Sequence, residues 1–243
     1  MRGVDESLRV TLLLLRDLGY THLDLSGAPA SPAVEVGAVT ARAPYEPGDP
    51  DTATILRVRS FDDLREIALP CLRCRLAGTR TQVVFGTGDP NADLMFIGEA
   101  PGRDEDLQGK PFVGRAGQLL TDIIKAMKLT RDDVYIANVI KCRPPENRNP
   151  EADELDACRP YIRKQIEFIQ PKVIVTLGKF ALQSLTGKSH AVSSARGVWT
   201  EYDGIRVMPT YHPAYLLRTP SAKKDVWTDM KKVMAALGIN HES

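Results

Sequence analysis

Three times between residues 94 and 185, a short apolar run closed by turn residues gives way to a helical stretch. Leu94-Met95-Phe96-Ile97-Gly98 precedes a helical pattern over 115–127, and Val134-Tyr135-Ile136-Ala137-Asn138-Val139 precedes one over 151–169. Val173-Ile174-Val175-Thr176-Leu177 precedes a third over 179–185. Strands alternating with helices imply a mostly parallel sheet covered by helices on both faces, an α/β domain of three layers, α/β/α. Ligands on such sheets bind beyond the carboxyl ends of the strands, in the loops that enter the next helices, so chemistry is expected just after each strand.

The rest of the chain reads as additions to that domain. Residues 5–20 form an amphipathic helical pattern, with Asp5 and Glu6 at its start and Leu8, Leu12 and Leu15 at helical spacing, so 1–25 is expected to be a helical appendage. Residues 26–59 carry Pro29, Pro32, Pro44, Pro47 and Pro50 among Ala, Gly and Val, the composition of an extended linker, and the main domain is expected over 60–243. The longest apolar run near the start, 10–15, is far short of the ~20 residues that span a bilayer. It is preceded by acidic residues and followed by Arg16 and Asp17, which is not the pattern of an export signal, so the cytoplasm is the expected compartment. Hydrophobic residues make up 43% and charged residues 26%, which suits one substantial core. Formal net charge is only +1, so an anionic partner such as nucleic acid would have to be met by a local basic patch.

In a reducing compartment the four cysteines are free thiols or metal ligands before they are disulfides. Cys71 and Cys74 form a close pair, and Cys142 and Cys158 lie far downstream on either side of Arg143-Pro144-Pro145. Four thiolates can complete a tetrahedral zinc site, and they also suit a [4Fe-4S] cluster, which tolerates widely separated ligands. Scattered buried thiols are the plain alternative. Arg73, Arg75 and Arg159 stand beside these cysteines, and basic neighbours favour thiolates.

Two loops carry candidate chemistry. Gly98-Glu99-Ala100-Pro101-Gly102-Arg103-Asp104-Glu105-Asp106 follows the first strand, and its glycines and proline fix a tight turn with acidic side chains. It is not a phosphate cradle, because its glycine pattern is wrong and its carboxylates would repel phosphate. Tyr211-His212-Pro213-Ala214-Tyr215-Leu216-Leu217-Arg218 follows a strand-like run over 205–208, and Pro213 suits the first position of a helix, which puts His212 at a helix N-terminus. Taken singly, the first loop could be only a capped turn and the histidine only a satisfied polar residue.

Together, these loops, the cysteine spacing and the strand-end Asn138 resemble the family 4 uracil-DNA glycosylases, the iron-sulfur type, over roughly residues 71–237. Glu99 separates the chain from the related family 5 enzymes, which usually have an apolar residue there. A third iron-sulfur group traps the abasic sugar through a histidine in a basic loop; here that region reads Ser193-Ser194-Ala195-Arg196-Gly197-Val198-Trp199, and the nearest histidine is His190.

The resemblance implies a uracil-DNA glycosylase-like fold, a [4Fe-4S] cluster on Cys71, Cys74, Cys142 and Cys158, and hydrolysis of the N-glycosidic bond of uracil flipped out of single- or double-stranded DNA, the first step of base excision repair. It implies that Phe112 stacks on the base, that the Asn138 amide reads its O4 and N3–H, and that Glu105 lies against C5 to exclude thymine. It further implies that the backbone at Glu99 and Ala100 meets O2, that His212 donates to the same oxygen, and that Glu99 holds the attacking water, with Asp104 and Asp106 as rivals for that last role. No lysine stands in these loops as a Schiff-base nucleophile, so a monofunctional enzyme is expected. Leu216 or Leu217 is expected to wedge into the duplex. Arg218, Lys223 and Lys224 are expected to contact phosphates, with Lys141, Arg143 and Arg148 as a second group. The protein is expected to act as a monomer, with the appendage helix available to dock another protein. A non-catalytic nucleic-acid-binding module or an electron-transfer protein would keep the cysteines, but would have no use for Glu99, Phe112, Asn138 and His212 together at strand ends.

Overall fold

The computed structural model describes residues 51–187 and 191–240. The strands are β1 (Thr87–Gly88), β2 (Leu94–Gly98), β3 (Tyr135–Asn138), β4 (Val173–Leu177), β5 (Thr200–Tyr202) and β6 (Ile205–Thr210). They form one sheet in the order β1-β3-β2-β4-β6-β5. The four inner strands are parallel, and the short edge strands β1 and β5 pair antiparallel to β3 and β6. The helices are α1 (Thr52–Arg57), α2 (Phe61–Ala68), α3 (Arg103–Gln108), α4 (Arg115–Ala126), α5 (Ala152–Ile169), α6 (Lys179–Thr186), α7 (Val192–Ala195), α8 (Pro213–Arg218) and α9 (Lys223–Ala236).

Every residue of β2, β3 and β4 is buried, as parallel strands covered on both faces require. Alternation along β2 divides the core. Met95 and Ile97 pack on one face with α1, α2, α5 and α6, through Ile55, Leu64, Ile162 and Ala181. Leu94 and Phe96 pack on the other with α4, α8 and α9, through Leu120, Leu216 and Met230. This is the expected three-layer α/β/α sandwich. Among the described residues no helix is long and apolar enough to cross a membrane.

One boundary differs from the sequence reading. The Pro-rich composition over 26–59 was expected to run as linker up to Ser60, yet Thr52–Arg57 is helical, with Asp51 as its N-cap accepting from Thr54 N at 2.6 Å. Ile55 is fully buried in the core cluster that includes α5, so the packed domain has begun by residue 51. Ser60 is instead the N-cap of α2. The appendage over 1–25, the linker up to residue 50, and His190 lie outside the described residues.

Parallel pairing brings the strand ends that matter into register. Gly98 stands opposite Asn138, and Val139 N and Ile140 N donate to Gly98 O and Glu99 O at 2.9 and 3.1 Å. The loops after β2 and β3 are thereby zipped together past the end of the sheet, and the loop after β6 lies two strands away.

Candidate active site and cysteine site

A cavity of about 510 Å³ opens at this end of the sheet, and Glu99, Ala100, Glu105, Phe112, Asn138, His212 and Arg218 all line it. Residues spread over 120 positions of sequence are thus brought to one place by three strand ends, β2, β3 and β6.

Asn138 is the last residue of β3 and is 1% exposed, and its Oδ1 is buried without a hydrogen-bond partner. A buried amide oxygen left unpaired costs on the order of 1–3 kcal/mol, so it is retained where something else satisfies it. Gly98 makes this seat possible: a Cβ there would collide with both Asn138 Oδ1 and the Phe112 ring. Phe112 takes a left-handed backbone, φ 53°, which few non-glycine residues adopt. It is held there from both sides. Arg131 donates to Pro111 O and Phe112 O at 2.8 and 3.1 Å, and Glu105 Oε1 accepts from Val113 N and Gly114 N, both at 2.9 Å.

Glu105 therefore does more than line the pocket. Its second oxygen accepts from Gly102 N at 3.1 Å, so one carboxylate binds the loop after β2 to the loop that carries Phe112. Asp106, a rival for the water-holding role, is buried and bonded to Thr81 N and Gln82 N, and Asp104 does not line the cavity. Of the acidic candidates this leaves Glu99, whose carboxyl burial pushes up to about 7.

His212 is the N-cap of α8, and its Nδ1 accepts from Ala214 N at 3.1 Å. Burial, helped by the positive charge of Arg218, pushes its imidazole down to about 4, against a smaller opposing pull from Glu105. The ring is neutral at physiological pH. Since Nδ1 accepts, the proton is on Nε2, which is the donor left for a ligand. The ring lies 5.5 Å from that of Phe112, tilted by 32°. Replacing His212 with Ala should lower the single-turnover rate about 100-fold, as removal of one donor to a developing anion does, and equally at pH 6 and pH 8, because the ring does not titrate there. A rate loss that depended on pH across this range would contradict the neutral assignment.

Several surface assignments change. Leu216 is 1% exposed and packs in the core, so it cannot enter a duplex, whereas Leu217 is 39% exposed. Lys141 is 2% exposed and cannot reach a phosphate. Arg148 lines the cavity, but its guanidinium is bound in fork fashion by the buried Glu154 at 2.6 and 2.9 Å. Arg143 donates to Asn147 Oδ1 at 2.8 Å. Arg218, Lys223 and Lys224 are exposed as expected.

Cys71, Cys74, Cys142 and Cys158 all line one further cavity, between α2, the loop after β3 and α5. Among the described residues no three His, Cys, Asp or Glu side chains are placed to close on a single metal ion. The site is rich in donors to sulfur: Arg80 Nη1 lies 3.3 Å from Cys142 Sγ, and Lys141 N lies 3.3 Å from Cys158 Sγ. Arg80 was missed from sequence. The neighbours chosen for adjacency go elsewhere, Arg75 to Glu151 and Asp153, and Arg159 to Asp156. Burial pushes the thiols of Cys74, Cys142 and Cys158 up, so thiolates here need a metal to replace their protons.

Residues 85–231 match the family model of the uracil DNA glycosylase superfamily. A type-4 uracil-DNA glycosylase of Sulfurisphaera tokodaii is 46% identical over 72% of this chain and 83% of its own length. One from Thermotoga maritima is 45% identical over 67% of this chain and 86% of its own. The chain belongs to the type-4 uracil-DNA glycosylase family. A type-5 relative from Pyrobaculum aerophilum is more distant, at 31% identity over 64% of this chain and 83% of its own length. The family assignment agrees with Glu99 at the start of the first loop, the residue that separated the two groups in the sequence. Arg131, Lys141 as a buried residue, and the space left by Gly98 had escaped sequence reasoning. Only Gly98, a glycine opposite a candidate reading residue, gave a signal that could have been used.

Proposed function

We propose that this protein takes uracil out of DNA and hydrolyses its N-glycosidic bond without cutting the strand, the opening step of base excision repair. The observation that carries this reading is the buried, unpaired Oδ1 of Asn138 in a cavity that also holds a neutral, Nε2-protonated His212. Uracil offers an N3–H donor and an O4 acceptor side by side, which one fixed amide satisfies through its oxygen and its NH₂. Cytosine offers the reverse pattern and would leave both groups unpaired, a mismatch that a closed polar site rejects strongly.

Phe112 provides the face on which the flipped base stacks. Glu99 orients a water whose oxygen bonds to C1′ as the C1′–N1 electron pair leaves with the base, and the Glu99 carboxylate takes the proton that the water gives up. The negative charge that grows on O2 meets His212 Nε2–H and the backbone at Glu99 and Ala100. Glu105, by joining the two loops, keeps the room around C5 small; exclusion of the thymine methyl then follows from a wall that cannot move. No Schiff-base lysine is needed for this chemistry.

The four cysteines suit a [4Fe-4S] cluster: they surround one cavity, and N–H donors face two of the sulfurs. When bound, such a cluster would supply structural cross-linking of α2, the loop after β3 and α5; hydrolysis needs no electron from it. At the mouth of the cavity α8 presents Tyr215, Leu217 and Arg218 outward. Leu217 fills the gap left by the flipped base, and Arg218, Lys223 and Lys224 meet phosphates. Leu217→Ala is expected to slow release from duplex DNA about 10-fold and to leave single-stranded DNA almost unaffected; equal slowing on both substrates would remove the wedge from the reading. A soluble monomer working in the cytoplasm is part of the same reading.

The test is incubation of cluster-loaded protein with uracil-containing oligonucleotides, single- and double-stranded, followed by alkali. Strand cleavage only after alkali is expected. Cleavage without alkali would replace the hydrolase with a lyase, and no cleavage in either case would overturn the proposal.

A further inference from the structure

Lys141 is a lysine in the wrong place for a surface residue: 2% exposed, between the base seat and the cysteine site. Its ammonium donates to Asn138 O at 2.7 Å and to Gln165 Oε1 at 2.6 Å. Gln165, itself fully buried on α5, donates in turn to Phe85 O at 2.9 Å and to the Tyr135 hydroxyl at 3.3 Å. The backbone of the same lysine faces the other way, with its N–H directed at Cys158 Sγ at 3.3 Å and its carbonyl accepting from Val84 N at 2.8 Å. An apolar side chain of similar length would avoid the cost of burying a polar amine, so bulk alone does not account for a lysine here. What the amine adds, through its two hydrogen bonds, is a fixed direction for the Asn138 carbonyl, and with it the orientation of the strand end from which the reading amide projects.

We propose that Lys141 is a positioning residue that ties the base-reading Asn138 to the Cys158 sulfur, so that the cysteine site and the base seat are one mechanical unit. The proposal rests on the uracil reading above. The lysine touches neither base nor sugar; it acts through Asn138. A displacement of the amide by a fraction of its hydrogen-bond reach is enough to slow bond cleavage 10- to 100-fold.

A double-mutant cycle between Lys141→Met and Asn138→Ala tests this, measured in single turnovers on protein whose visible cluster absorbance and iron content are full. Lys141→Met alone is expected to slow uracil release about 10- to 100-fold, and to cost less than twofold once Asn138 is already Ala. Equal cost in both backgrounds, or no cost in either, would overturn the proposal, since a lysine that merely supports the fold acts regardless of residue 138. Amide hydrogen exchange gives a second reading that does not depend on activity. The Val139 and Ile140 amides are expected to exchange faster in Lys141→Met and also in Cys158→Ser, and unchanged exchange in both would sink the link. If Lys141→Met fails to fold or to load, Gln165→Leu removes one of the two acceptors of the ammonium. It is expected to show a smaller loss with the same dependence on Asn138, and an additive loss would count against the proposal. Should Asn138→Ala itself leave uracil release intact, the base-reading role falls first, and the cycle shows that separately.

Discussion

Asn138→Ala is expected to release uracil about 1,000-fold more slowly than the unaltered protein in single turnovers with enzyme in excess. The magnitude follows from two hydrogen bonds made in a buried seat, one of them to an oxygen of a base that is acquiring negative charge, at roughly 1.5–3 kcal/mol each. The chain offers no substitute for the lost amide, because Gly98 and Phe112 close the space around it. Asn138→Asp should do no better with uracil: it keeps the shape, loses the donor to O4, and sets a carboxylate against a carbonyl. Stability should change little or rise on removal of an unpaired buried oxygen, so retained folding and cluster absorbance separate loss of recognition from loss of structure. If Asn138→Ala kept more than a tenth of the rate, the amide would not be the reader.

Glu99→Gln carries the second large effect, and it has two sides. If the ionised carboxylate orients the water, the substitution lowers the rate about 100- to 10,000-fold. The unaltered enzyme should also lose kcat/KM as pH falls below about 7, tenfold per unit, because burial holds the carboxyl protonated there. The same burial works against stability. A carboxyl whose folded-state pKa lies above its ordinary value binds protons more tightly in the folded state. Its contribution is present in full below the unfolded value near 4.5 and is lost as pH rises through about 7. At pH 8 the folded protein carries an ionised, poorly solvated carboxylate, and Gln removes that cost. Allowing for the solvent that its partial exposure admits, Glu99→Gln should be more stable by roughly 1–2 kcal/mol at pH 8, about 2–6 °C in Tm, and nearly neutral at pH 4. Thermal unfolding at the two pH values, beside single-turnover rates from pH 5 to 9, checks both sides. A variant equally slow but no more stable at pH 8 would deny the buried ionised carboxylate.

The parts of this design that were legible in the sequence are those written locally. The three strand-helix alternations appear because a buried parallel strand must be a short apolar run, and its end must be marked by turn residues. Glu99 and His212 stood out as candidates because they follow such runs, where an α/β sheet places its ligands, and Asn138, the last residue of its strand, through the family resemblance. Orientation within a short helix was not legible. In α8 the neighbours Leu216 and Leu217 are chemically identical, and only the direction in which the helix docks buries one and exposes the other. Partners distant in sequence were equally hidden. Lys141 looked like one more basic residue near a cysteine until α5 supplied Gln165, 24 positions away, to receive its ammonium. Arg148 is engaged by Glu154 in the same way, through a carboxylate that its own loop does not announce. Ile55, in a stretch dominated by prolines upstream, belongs to the core because one helical turn after Asp51 is enough to dock on α5, and composition averages over that.

The seat around Asn138 is built on fixed partners, with Phe112 held by Arg131 and Glu105 and with His212 capping its own helix. A site so fully assembled does not distinguish sharply between a base still joined to its sugar and the same base set free. The severed uracil meets the same amide, the same ring and the same imidazole that selected it. Free uracil is therefore expected to compete with the substrate, and the slowing of uracil release by added uracil would measure how strongly.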